Sequence, residues 1–193
     1  MPLTRFEFFT SNPVEKIFWG RADIDAASAH LYFTRGSIVQ HSLHLLKYKA
    51  RKEIGIYFGR QMGLSLNHSS RFNQCEIIIP LPLFAAREKK RGYNQAKLIA
   101  EGISQQLKIP VINDAVSRIK KTETQTHKSR IQRWENMEST FKIRNPDKIS
   151  GKHILLVDDV VTTGASLEAC ARVLLAIRDV KLSIACLAHT VSG

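Results

Sequence analysis

Residues 154–166 read Ile-Leu-Leu-Val-Asp-Asp-Val-Val-Thr-Thr-Gly-Ala-Ser, and no other stretch restricts the fold as strongly. Its unbroken apolar start fits a strand buried on both faces, as in a parallel sheet. Leu167, Cys170, Ala171, Leu174 and Ile177 then recur at helical spacing. The segment is a strand, a tight polar loop and a helix. Asp158 and Asp159 fall at the strand's carboxyl end, where open α/β sheets bind ligands. Loop N–H groups and the hydroxyls of Thr162, Thr163 and Ser166 converge on the helix N-terminus, an anion site. Gly164 permits positive φ and the close approach of a phosphate. The stretch therefore offers acceptors for sugar hydroxyls beside a phosphate cradle. Two adjacent acids alone would read as a solvated turn; the whole string favours a site.

The rest of the chain supplies strands and helices in alternation. Ser37 caps a helix over residues 38–48 with Val39, Leu43 and Leu46 on its apolar face. A second helix covers residues 52–66, where Gly55, Gly59 and Gly63 form a row that lets another helix approach closely. Between them, Lys47, Tyr48, Lys49, Arg51 and Lys52 read as a solvated basic turn, with a ligand role as the alternative. Residues 76–81 read as a buried strand ended by Pro80-Leu81-Pro82. A loop carrying Arg87, Lys89, Lys90 and Arg91 follows, then Gly92 and a helix over residues 93–107. Cations thus stand at a second strand end, suited to a second anionic group such as pyrophosphate. Val111-Ile112 and residues 141–143 read as short strands, and 180–187 as a final buried one. Residues 1–36 show apolar anchors without a period and read as a partly irregular, non-catalytic segment.

This order predicts an α/β fold with a mainly parallel central sheet flanked by helices. The expected division is a small N-terminal helical or irregular part, residues 1–70, packed on a main domain, residues 71–193. Lys and Arg number 29 against 17 Asp and Glu, a net +12 that calls for an anionic partner. Charge alone does not separate a sugar phosphate from nucleic acid. No apolar run reaches membrane-spanning length, and Cys75, Cys170 and Cys186 form no metal or disulfide spacing. A cytoplasmic protein with reduced thiols and no membrane insertion is expected.

The thirteen residues 154–166 resemble the phosphoribosyl pyrophosphate (PRPP) motif of type I phosphoribosyltransferases throughout. Pro80-Leu81-Pro82, Arg91-Gly92-Tyr93-Asn94-Gln95, then Arg118, Gln125, Arg133 and Asn136 before Phe141, are in turn similar to the ComF competence-protein family. His44-Leu45-Leu46-Lys47-Tyr48-Lys49 resembles that family's Leu-Lys-Tyr segment, so the likeness runs from about residue 37 to the C-terminus. Many members begin with a four-cysteine zinc module; no cysteine precedes Cys75 here, and the module is expected to be absent.

The resemblance implies a type I phosphoribosyltransferase-like fold and a set of roles. Asp158 and Asp159 would hold the ribose hydroxyls, and with Val160, Val161, Thr162, Thr163, Gly164, Ala165 and Ser166 would form the PRPP ribose and 5′-phosphate site. Pro82, Arg87, Lys90 and Arg91 would bind pyrophosphate, with Arg91 counted beside the two acids as catalytic. Mg²⁺ would arrive with PRPP, with no ligands from the protein alone. By its charge and its place between the two anion sites, rather than by the resemblance, the basic segment from Arg118 to Arg133, with Gln125, Lys128, Arg130 and Arg133, is expected to close as a lid, a surface loop being the alternative. Purine-salvage relatives carry a further acid at the position of Thr162, so no motif-borne proton acceptor is present. The implied activity is transfer of a 5-phosphoribosyl group to an unidentified nitrogen acceptor. The rival readings are a PRPP- or nucleic-acid-binding module without turnover and a scaffold with a vestigial site. Single-stranded DNA or the competence machinery is the further partner implied by involvement in DNA uptake, and a homodimer stays open.

Overall fold

The structure, a computed structural model, describes residues 1–119 and 140–190. Its centre is a sheet of four parallel strands in the order β1-β6-β5-β2. These strands are β1 (Ala26–Phe33), β2 (Ile77–Pro80), β5 (His153–Val161) and β6 (Lys181–Thr190). A separate antiparallel ribbon joins β3 (Val116–Arg118) to β4 (Phe141–Ile143). The helices are α1 (Pro13–Phe18), α2 (Ile38–Tyr48), α3 (Lys52–Asn67), α4 (Ala85–Arg91), α5 (Gln95–Leu107) and α6 (Ala165–Leu175).

The apolar run at the start of the motif becomes β5, flanked on both sides by strands and fully buried from Ile154 to Val157. Ile154 and Leu156 pack with Val14, Phe18, Leu167 and Cys170 on the α1 and α6 face. Leu155 and Val157 pack with Leu46, Phe58, Ile99 and Ile103 on the α2, α3 and α5 face. Burial on both faces is why the sequence is apolar without alternation. β2 is an edge strand, which tolerates Pro80 in its last position. Val111 forms only an isolated parallel bridge to Ile78, so the expected strand at Val111-Ile112 is a bridge beside β2.

The glycine row does what its spacing predicts. A Cβ on Gly59 would collide with the Ile99 carbonyl oxygen of α5, and one on Gly102 with the Ile56 carbonyl oxygen of α3. The helices therefore pack backbone to backbone.

Two expectations need correction. The reading of residues 1–36 as partly irregular left out a strand: residues 26–33 form β1, which pairs with β6 in the central sheet. The missing sequence signal has a cause, since β1 is buried for most of its length and shows no alternation. Asn12, itself buried, caps α1 through Val14 and Glu15 N–H and donates to the carbonyls of Phe6, Phe9 and Ala27. The stretch carrying Arg87, Lys90 and Arg91 is not a loop but α4. Ala85-Ala86-Arg87-Glu88-Lys89-Lys90-Arg91 consists of strong helix formers, with Lys89, Lys90 and Arg91 in the last turn. Gly92 ends it with φ 79°, a left-handed cap.

Candidate functional site

Asp158 and Asp159 lie near the carboxyl end of β5, and their backbone is tied together by the Asp159 N–H donating to Asp158 Oδ1 at 2.8 Å. Their surroundings differ. Asp159 meets Lys47 of α2, whose Nζ stands 2.7 Å from Oδ2. Asp158 lies in the field of Arg118 from β3, with the Cys170 thiol of α6 close by. Burial, and then the neighbouring Asp159 carboxylate, push the Asp158 carboxyl up to about 8, against the pull of Lys47 and Arg118.

The loop that follows is built as expected, with one difference. Thr162 and Thr163 are exposed, Ser166 is half-buried, and Gly164 takes φ 72° as the N-cap of α6. No side chain among the described residues caps that helix, so its first-turn N–H groups are open to an anion. The space beside Gly164 is taken by protein: a Cβ there would stand 2.5 Å from Ile17 Cγ2 and 3.2 Å from Phe18. Arg21 Nη1 also donates to the Thr163 carbonyl at 2.9 Å, while Arg21 pairs with Glu168 of α6. Helix α1 and Arg21 thus brace the loop, a contribution the irregular reading of residues 1–36 missed.

The string 91–95 is legible residue by residue. Arg91 donates to Gln95 Oε1 at 2.7 Å and lies 5.4 Å from the Tyr48 ring. Gly92 turns the chain, and the Tyr93 hydroxyl donates to the Leu46 carbonyl of α2. Asn94 caps α5 through Ala96 N–H and donates to the Leu81 carbonyl at 2.9 Å, fixing the loop after β2 that holds half-buried Pro82. The result is a cleft of about 650 Å³ lined by Lys47, Tyr48, Ala50, Arg87, Lys90, Arg91 and Tyr93. Sequence reasoning left Lys47 and Tyr48 in a solvated turn, with a ligand role as the alternative; in the fold both line this cleft, Tyr48 still exposed, whereas Lys49 and Arg51 do not.

Arg118, expected as the start of the basic lid segment, belongs instead to β3 and stands beside the loop after β2. Its guanidinium lies 4.2 Å from the Phe84 ring and 5.4 Å from the Phe141 ring, and its buried Nε has no hydrogen-bond partner among the described residues. Burial and the Arg87 charge lower its pKa, against Asp158. Arg87 also approaches Phe84, at 5.9 Å. Two guanidinium groups therefore gather on one ring beside the loop after β2, an arrangement that suits an anion between them. Gln125, Lys128, Arg130 and Arg133 of the expected lid lie outside the described residues.

A parallel sheet with an acid pair and a helix N-terminus at the carboxyl end of one strand, and a cationic cleft beside the end of the next, defines a protein of phosphoribosyltransferase type. The phosphoribosyl transferase domain matches residues 94–192, and the chain belongs to that family as a ComF-like member. It is 32% identical over 151 residues to DNA utilization protein YhgH of Shigella flexneri, covering 77% of this chain and 66% of that protein. It is 36% identical over 119 residues to competence protein F of Haemophilus influenzae, covering 60% and 52%. It is 37% identical over 102 residues to competence protein ComFC of Bacillus subtilis, covering 51% and 38%. The chain therefore spans about two thirds or less of these curated relatives. No helix among the described residues is long and apolar enough to cross a membrane.

Proposed function

We propose that the protein binds PRPP and transfers its 5-phosphoribosyl group to a nitrogen acceptor, releasing pyrophosphate. The observation that supports this reading is the convergence of three features on one sheet edge: the acid pair of β5, the uncapped N-terminus of α6, and the cationic cleft between α2 and α4. Asp158 and Asp159 accept the ribose hydroxyls. The loop from Thr162 to Ser166 holds the 5′-phosphate. Arg87, Lys90 and Arg91, joined by Arg118, receive the pyrophosphate. In the transfer the bond from ribose C1 to the pyrophosphate oxygen breaks and its electron pair leaves with pyrophosphate. The acceptor nitrogen bonds to C1, and its proton passes to the departing pyrophosphate or to water. Holding the sugar still and neutralising the leaving group are the protein's share of the work.

The family implies Mg²⁺ with PRPP. The acid pair offers hard oxygen donors, and no group of three or more His, Cys, Asp or Glu gathers among the described residues. That donor set fits an ion held mainly by phosphate oxygens. When bound, Mg²⁺ supplies neutralisation of the pyrophosphate charge.

Calorimetry with PRPP and Mg²⁺, followed by a pyrophosphate-release screen over nucleobases and amines, tests the reading. Saturable PRPP binding and release with one acceptor class are expected. No binding overturns it. A second reading, a nucleic-acid-binding module, draws on the +12 charge, on exposed Lys49, Lys52 and Lys89 outside the cleft, and on the DNA-related names of the relatives. Binding of single-stranded DNA that weakens steeply with salt, with no pyrophosphate release, is the outcome that favours it.

A further inference from the structure

The last turn of α2 touches three separate parts of the site with three successive residues. The Leu46 carbonyl accepts the Tyr93 hydroxyl, Lys47 pairs with Asp159, and the Tyr48 ring faces Arg91. The PRPP motif contains none of them. The Lys47–Asp159 pair is not a surface ion pair, since the side chains are only 25% and 13% exposed. Surface pairs hold geometry weakly, whereas a part-buried pair fixes both partners. Lys47 contacts Oδ2, and Asp159 has no other side-chain partner among the described residues. A lysine is a point donor, so it can hold one carboxylate oxygen and leave the other open, where a bidentate arginine fork would take both. The same ammonium lines the cationic cleft.

We propose that Lys47 is a positioning residue for ribose recognition: it fixes the Asp159 carboxylate by Oδ2 so that the remaining oxygen accepts a sugar hydroxyl. This rests on the PRPP reading of the site and adds to it a residue carried by α2. The role predicts selectivity rather than mere affinity. A carboxylate held in one orientation distinguishes a sugar with its hydroxyl from one without, while the phosphate is held elsewhere, at α6.

The experiment measures the affinities of ribose 5-phosphate, 2-deoxyribose 5-phosphate, 3-deoxyribose 5-phosphate and inorganic phosphate by calorimetry. Wild type is expected to prefer ribose 5-phosphate over one deoxy sugar by roughly tenfold or more, the scale of a hydrogen bond to a charged group. Lys47→Met should lose most of that preference, read as the ratio of the sugar phosphates' affinities, with inorganic phosphate reporting separately any loss at the cleft that Lys47 lines. Lys47→Ala, which likewise leaves Asp159 without its donor, serves where Lys47→Met does not fold. Asp159→Asn should lose the same preference, and the double variant should be no worse than either single one, as for residues acting through one another. The inference is overturned if the Lys47 variants keep the wild-type preference. It is equally overturned if the two substitutions add in their loss of that ratio. A wild type that binds all three sugar phosphates alike removes the ribose reading itself, a result distinct from retained preference in the Lys47 variants.

Discussion

Replacing Asp158 with Asn should stabilise the empty protein above neutral pH while removing its ligand. Burial and Asp159 raise this carboxyl from its ordinary 3.8 to about 8. Between those values the folded protein holds a proton that the unfolded chain has released, so wild-type stability falls as pH rises. Each pH unit in that window costs at most ~1.4 kcal/mol. From pH 5 to pH 7.5 the ceiling is about 3 kcal/mol, and solvent reaching the part-buried side chain lowers the expected value to about 1–3 kcal/mol. Asparagine matches the protonated acid in shape, keeps an oxygen for the Asp159 N–H, and does not titrate. Wild type and Asp158→Asn should therefore unfold at similar urea concentrations at pH 5. At pH 7.5 the variant should be the more stable by about 1–3 kcal/mol, a few degrees or more in melting temperature. The same variant should gain no melting temperature from PRPP with Mg²⁺, where wild type gains by mass action. Parallel stability curves from pH 5 to 8, or a variant less stable at pH 7.5, would refute the claim that the acid pair is under electrostatic load.

Gly59→Ala sets a methyl against the Ile99 carbonyl of α5 and should destabilise by about 3 kcal/mol or more, read from urea unfolding; a loss under 1 kcal/mol would show that the α3–α5 contact yields easily. Gly164→Ala meets both a left-handed φ and the Ile17 side chain, and should cost about 1–3 kcal/mol with weaker ribose 5-phosphate binding. Adding Ile17→Ala should relieve only the crowding, so full recovery of stability would show that φ is not a constraint. Arg118→Leu removes a buried Nε that has no partner among the described residues, while keeping apolar packing on Phe84 and Phe141; stability should stay within about 1 kcal/mol of wild type and PRPP affinity should fall about tenfold or more. Unchanged PRPP affinity would remove Arg118 from the pyrophosphate site.

The parts of this protein that short-range pattern could specify are the parts whose partners are close in sequence. A run from Ile154 to Val157 can only be a doubly buried strand, Gly164 marks a left-handed turn, and Ser37 caps α2 by accepting from Gln40 N–H three residues on. Glycines four apart expose one helix face, so close packing of α3 was legible before its partner was known. The string 91–95 was legible as a motif, yet its reasons came from distant atoms: Leu46 for Tyr93 and Leu81 for Asn94. The tertiary structure alone decided that β1 completes the sheet, that α1 fills the space beside Gly164, that Lys47 reaches Asp159 across more than a hundred residues, and that Arg118 lies between two phenyl rings near Asp158. The physical reason is the reach of the interactions. Periodicity and capping record contacts within about one helical turn, whereas an ion pair between α2 and β5 exists only once the sheet has closed and brought them together, and leaves no local trace in either segment.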